Sequence, residues 1–170
     1  GKLEFMRSQK SLYENEFKDG LEQLDNCIDH FEISENKPFI IVALIEKIKV
    51  FIEVAENEKA LKVVRKVEAQ LQKMEFSDFH LVLNSIKCVI NIDNIKKEDI
   101  DEIEQSLNKL KILVFDFQST ERYIAYWYLA QAYFGIEEKE KAQNCHNLAK
   151  TLLSEAAKKN SDSEDQNNFL

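Results

Sequence analysis

Four times along the chain, three residues that are small or apolar, with one His among them, occur at the spacing i, i+4, i+7 within a stretch that could form a helix. These sets are Gly20, Leu24 and Cys27; Ala60, Val64 and Val67; Ile103, Leu107 and Leu110; Ala142, His146 and Ala149. An α-helix places such a triplet on one face. Successive sets begin 40, 43 and 39 residues apart, a period typical of arrays of helical hairpins. The pattern predicts a repeat protein whose units bury their apolar faces against neighbouring units.

The composition favours an all-α fold. The 170 residues include three Gly and one Pro, whereas sheets with many short strands need such residues at their turns. We therefore expect one domain over residues 1–158, built of antiparallel hairpins at about 3–33, 38–74, 76–114 and 120–158. Residues 159–168 are polar and aperiodic, so we predict that residues 159–170 form an irregular tail or linker.

Capping residues predict several helix boundaries. Pro38 suits the first turn of a helix, where its missing N–H costs no hydrogen bond. Asn57 is a candidate N-cap, and Gly135 is a candidate C-cap with positive φ. The first hairpin allows two interpretations, either a single long helix or two helices separated near residues 14–16.

The last hairpin resembles a tetratricopeptide repeat. That family's pattern places an aromatic, a Leu, a small residue and a Tyr on the first helix, and two small residues flanking a larger one on the second. The matching residues here are Tyr126, Leu129, Ala130, Tyr133, Ala142, His146 and Ala149. The units are longer than the usual repeat and lack its closing Pro, like the degenerate repeats of large bacterial signalling proteins. The resemblance implies a right-handed solenoid of stacked hairpins.

Charge and motifs argue against several functions. The net charge of −8 disfavours nucleic acid, which requires clustered Lys and Arg. The most apolar stretch, residues 39–55, contains four charged residues, so we expect no membrane span. The three Cys are far apart, which indicates reduced, buried thiols in a cytoplasmic protein rather than a disulfide framework or a metal site. No catalytic or phosphate-binding motif is present, so we expect no enzymatic activity and no cofactor.

One helix is unusually rich in aromatic residues. Tyr126 and Tyr133 fall in its packing register, whereas Trp127 and Phe134 fall on an adjacent face. Packing is the favoured role for Trp127, and contact with a ligand is the alternative. If the first helix of each hairpin faces a ligand, the corresponding surface positions predict a partner-binding set of Lys49, Ile52, Asn84, Trp127, Gln131 and Phe134.

The sequence thus predicts a non-enzymatic module that binds a protein or peptide, or associates with itself, within a larger cytoplasmic signalling protein. The alternative is a sensor domain of a transcription regulator that binds a peptide or metabolite. A neighbouring kinase or ATPase domain would favour the first function, and a helix-turn-helix domain the second.

Overall fold

The computed structural model describes residues 1–72, 77–109 and 116–167. These residues form helices and the turns between them, with no β-strand among them. The prediction of an all-α protein is confirmed. The chain divides into two compact units, Gly1–Glu75 and Phe76–Leu170, and each unit holds two of the four predicted hairpins.

Unit 1 contains four helices joined by short turns: α1 (Lys2–Tyr13), α2 (Phe17–Ile33), α3 (Lys37–Glu53) and α4 (Asn57–Leu71). Each helix packs against the next one along the chain. The chain turns between Tyr13 and Phe17, so the two-helix interpretation of the first hairpin is correct. Pro38 lies in the first turn of α3, as predicted.

Unit 2 contains α5 (Ser77–Ile90), a short 3-10 turn (Ile92–Asn94), α6 (Lys97–Lys109), α7 (Asp116–Gly135) and α8 (Lys139–Asn167). Here α7 packs against α5, α6 and α8, so it lies at the centre of the unit. The predicted end of the third hairpin, residues 110–114, lies outside the described residues.

The repeating triplets form much of the core. In unit 1 all six residues of the two triplets are buried on α2 and α4, and α3 packs against both helices. Gly20 permits close approach of α1, since a Cβ at this position would lie 2.5 Å from Cδ2 of Leu12. In unit 2 the buried members are Leu107, Ala142 and Ala149, whereas His146 is half-buried.

Four of the turns share one backbone conformation. In each, a residue other than glycine adopts positive φ, and the amide N–H that follows donates to a carbonyl five residues earlier, as Glu56 does to Phe51 at 2.7 Å. This is the Schellman arrangement, which satisfies carbonyls at a helix C-terminus. The positive-φ residues are Asn15 (62°), Glu35 (52°), Ala55 (57°) and Glu137 (64°).

The structure corrects both predicted caps. Gly135 has no positive φ, because Glu137 takes that conformation two residues later. The missing Cβ of Gly135 instead permits close approach, since a Cβ there would lie 2.6 Å from Cγ1 of Ile92. Asn57 is the first residue of α4 rather than its N-cap, and the actual N-cap, Glu56, makes no side-chain capping bond.

The polar segment after residue 158 also differs from the prediction. Instead of becoming irregular, α8 continues to Asn167. The segment contains neither Gly nor Pro, and adding a residue to an existing helix is far easier than starting one. Its proposed role as a linker stays a prediction.

Candidate functional site

The candidate site is a groove of about 620 Å³ in unit 2, which we call the α7–α8 groove. Small residues, Ala130 and Ala142, line it where the two helices pack against each other. The side chains around them are apolar or polar, and Lys139 is the only Lys, Arg, Asp or Glu among them. The full lining is Val89, Ile92, Trp127, Ala130, Gln131, Phe134, Gly135, Lys139, Ala142, Gln143 and His146.

Two exposed aromatic side chains dominate the α7 side of the groove. Trp127 is 46% exposed and Phe134 is 69% exposed, so neither is a core residue. The Trp127 ring lies 5.3 Å from the His146 ring, centroid to centroid, with their planes inclined at 42°. Trp127 thus lies outside the core, but its ring packs against α8 and about half of the side chain is exposed beside the groove. Its role in packing or in ligand contact stays a prediction.

The orientation of α7 follows from its other face. Tyr126 and Tyr133, seven residues apart, are fully buried, and both hydroxyls hydrogen-bond to α6. Tyr126 Oη lies 2.7 Å from Oδ1 of Asn108. Tyr133 Oη lies 2.7 Å from Oδ1 of Asp101 and 2.6 Å from Oε2 of Glu104. Residues one position further along a helix lie about 100° around its axis, so these contacts turn the next face of α7 into the groove.

The charges near Tyr133 are already paired within unit 2. Lys141 Nζ lies 2.6 Å from Oδ1 of Asp101, and this hydrogen bond holds the pKa of the Asp101 carboxyl below its ordinary value. Burial and the two carboxylates raise the pKa of the Tyr133 hydroxyl, so it remains protonated. Lys139 differs, because the described part of the chain offers it no ion pair. Within the described residues, Lys139 is therefore an unpaired cation at the edge of the groove.

The cysteine nearest the groove has the wrong properties for a nucleophile. Cys145 is 2% exposed, and burial raises the pKa of its thiol to about 12. Burial likewise raises the pKa of Cys27 and of Cys88 to about 11. Because the thiolate is the reactive form, the raised pKa of each thiol disfavours a nucleophilic role.

The structure brings together half of the predicted partner-binding set. Trp127, Gln131 and Phe134 all line the groove. Asn84 is exposed on α5 but does not line it. Lys49 and Ile52 are half-buried on α3 in unit 1 and are no part of this site, and Lys49 Nζ pairs with Glu46 at 2.8 Å.

Sequence reasoning missed the α8 side of the groove. Lys139, Gln143 and His146 line it with the same i, i+4, i+7 spacing as Trp127, Gln131 and Phe134 on α7. The small residues Ala142 and Ala149 predict the packing register of α8, but they do not indicate that Lys139, Gln143 and His146 border a groove. The contribution of Val89 and Ile92 depends on how the end of α5 packs, which no local pattern encodes.

Neither a metal-binding cluster nor a membrane-spanning helix is found among the described residues. Within residues 1–72, 77–109 and 116–167, no group of His, Cys, Asp or Glu side chains is placed to hold a metal ion. No helix in those stretches has the length and apolar character needed to cross a membrane. Comparisons with protein-family models, curated proteins and solved structures find no match.

Proposed function

We propose that this chain is a non-enzymatic interaction module and that the α7–α8 groove binds a segment of a partner protein. The observation that carries this proposal is the groove itself, with Trp127 and Phe134 exposed beside a floor of alanines. Trp is among the commonest residues to dominate binding energy at protein interfaces. Buried contacts to α6 hold α7 in place, so the groove is preformed and little ordering free energy is lost on binding.

The proposed architecture is a right-handed, tetratricopeptide-like array of hairpins. Its support is the recurrence of the buried triplets and of the same Schellman turn after α1, α2, α3 and α7. Arrays of this kind commonly present extended binding surfaces. A place within a larger cytoplasmic signalling protein is part of the same proposal and rests on the resemblance.

Selection of displayed peptides on the purified chain tests this function. Peptides selected by the wild type should lose about 2 kcal/mol or more of binding free energy on Trp127→Ala, with an unchanged helical circular dichroism spectrum. Ile33→Ala is the matched control, since Ile33 is 82% exposed in unit 1 and lies outside the groove. Equal effects of both substitutions, or no selectable peptide, would contradict the proposal.

The second candidate is a sensor domain of a transcription regulator that takes a peptide or metabolite. A volume of about 620 Å³ is within the usual size of small-molecule sites, and Lys139, Gln131 and Gln143 could orient a polar ligand. Thermal shift against a library of anionic metabolites checks this candidate. Stabilisation abolished by Lys139→Glu would favour a sensor over a protein-binding module.

A further inference from the structure

Helices α6 and α8 are the second helices of the two successive hairpins predicted for unit 2. The triplet of α6 begins at Ile103 and that of α8 at Ala142, 39 residues later. At this offset, Ile100, Glu104 and Leu107 correspond to Lys139, Gln143 and His146. The surface of α6 can therefore be compared position by position with the surface of α8.

On α6 these positions are covered. Ile100 and Leu107 are 0% and 1% exposed, and Glu104 accepts a hydrogen bond from the Tyr133 hydroxyl of α7. On α8 the three corresponding residues instead line the open groove. In this alignment the α8 side of the groove corresponds to a surface of α6 that is buried at Ile100 and Leu107 and contacted by α7 at Glu104.

We infer that the α7–α8 groove takes an amphipathic α-helix from a partner protein, with a contact face similar to that of α7. This inference rests on the proposed function and names the form of the partner segment. The two lining rows, residues 127, 131 and 134 and residues 139, 143 and 146, each extend over about two helical turns. A bound helix that contacts the groove through side chains at i, i+3 or i+4, and i+7 spans the same length.

The groove is more polar than the surface it corresponds to. Lys139 replaces the fully buried Ile100, and the half-buried His146 replaces Leu107. Burying a lysine permanently without a partner charge would be costly. The groove therefore suits a helix that binds and leaves and that supplies a carboxylate for Lys139.

The position of that carboxylate follows from unit 2. Tyr126 contacts Asn108 whereas Tyr133 contacts Asp101, so α7 runs antiparallel to α6. Glu138, just beyond the C-terminus of α7, pairs with Lys97 at the start of α6. A helix seated similarly on α8 brings its C-terminal end to Lys139, so the partner's acidic residue lies at that end.

A helical copy of α7 is the direct probe. The peptide has the sequence of residues 122–138 with Trp127→Gln, a fluorescent label and a hydrocarbon staple on its outward face. Binding to the full chain is followed by anisotropy. We expect saturable binding, at least tenfold weaker for an unstapled peptide in which Ala130→Pro breaks the helix. Equal binding of the two peptides would overturn the helical inference while leaving the interaction function standing.

Charge is tested on both molecules. Lys139→Glu in the protein should weaken binding of the stapled peptide at least fivefold, whereas Lys150→Glu, the same change at an exposed site outside the groove, should not. Replacing both glutamates of the peptide, Glu137→Gln and Glu138→Gln, should remove the difference between Lys139→Glu and wild type. Equal effects of the two lysine substitutions would overturn the assignment of the carboxylate to Lys139.

Three other results would also overturn the inference. In one, the stapled peptide does not bind, whereas display selection yields extended peptides whose binding is weakened by Trp127→Ala. Only the proposed function would then stand. Failure of both assays would reject both. Concentration-dependent self-association in sedimentation equilibrium, abolished by Trp127→Ala, would instead make a second copy of this chain the occupant.

Discussion

At the scale of single residues, two tyrosines determine what the groove presents. Tyr126 and Tyr133 fill buried space with their rings while their hydroxyls bond to polar side chains of α6. A buried tyrosine whose hydroxyl is hydrogen-bonded fixes both the position of its helix and the rotation of that helix about its axis. Rotating the helix would leave the hydroxyl without a hydrogen-bond partner. The exposure of Trp127 is therefore a consequence of contacts made on a different face of the same helix.

Removing one of these hydroxyls tests this role. We expect Tyr133→Phe to lower the free energy of unfolding by about 1–2 kcal/mol, since a hydrogen bond to a carboxylate is lost from a buried site. Tyr13→Phe is the control, because Tyr13 is 89% exposed, and its effect should stay within about 0.5 kcal/mol. Urea unfolding of both variants measures the difference. Equal midpoints would show that the ring alone positions α7.

At the scale of helices and turns, the repeated Schellman turn carries a cost. Asn tolerates positive φ, but Ala55 has a Cβ that makes this conformation unfavourable by about 1–2 kcal/mol. The chain accepts this cost because the turn satisfies carbonyls at the end of α3 and starts α4 within a few residues.

Glycine should relieve that cost. We expect Ala55→Gly to raise the free energy of unfolding by about 0.5–1 kcal/mol, since the relief of strain exceeds the extra entropy of the unfolded chain. The matched control is Ala157→Gly on α8, which should lower it by about 0.5–1 kcal/mol because Gly disfavours a helix interior. Thermal melts of both variants check the prediction. A lower free energy of unfolding for Ala55→Gly would contradict the claim that the positive φ of Ala55 is strained.

The helices were predictable from the sequence because periodicity and a scarcity of Gly and Pro are local signals. The turns were harder, because the positive-φ positions hold Glu and Ala as well as Asn, and none of the three glycines. Trp127, Gln131 and Phe134 could be assigned to a surface from their offset to the buried tyrosines. Lys139, Gln143 and His146 could not, because the packing of α8 against α7 decides which of its faces borders the groove.

At the scale of the whole molecule, each of the two units has its own buried residues. Leu24, Ile41 and Ile48 are fully buried in unit 1, and Leu83, Leu129 and Tyr133 in unit 2. Domains of about 60 residues or more can fold alone when they bury a sufficient apolar core. The groove belongs entirely to unit 2.

We therefore expect residues 1–75 and 76–170 to fold when expressed separately. Each fragment should give a helical circular dichroism spectrum and a cooperative thermal transition, and the second should retain binding of the stapled peptide. A fragment without a cooperative transition would show that its core requires the other unit.

The positive-φ residues of unit 1 lie at positions 15, 35 and 55, so α2 and α3 each take up 20 residues together with the turn that follows. Substitutions that keep small or apolar residues at the buried positions preserve this arrangement, whichever residues occupy the exposed positions. Inserting one residue within α3 is different, because it rotates everything that follows by about 100° relative to the preceding turn. During evolution such a chain can accept substitutions far more readily than insertions or deletions within its helices. Its relatives would therefore be recognised by the number of residues between turns.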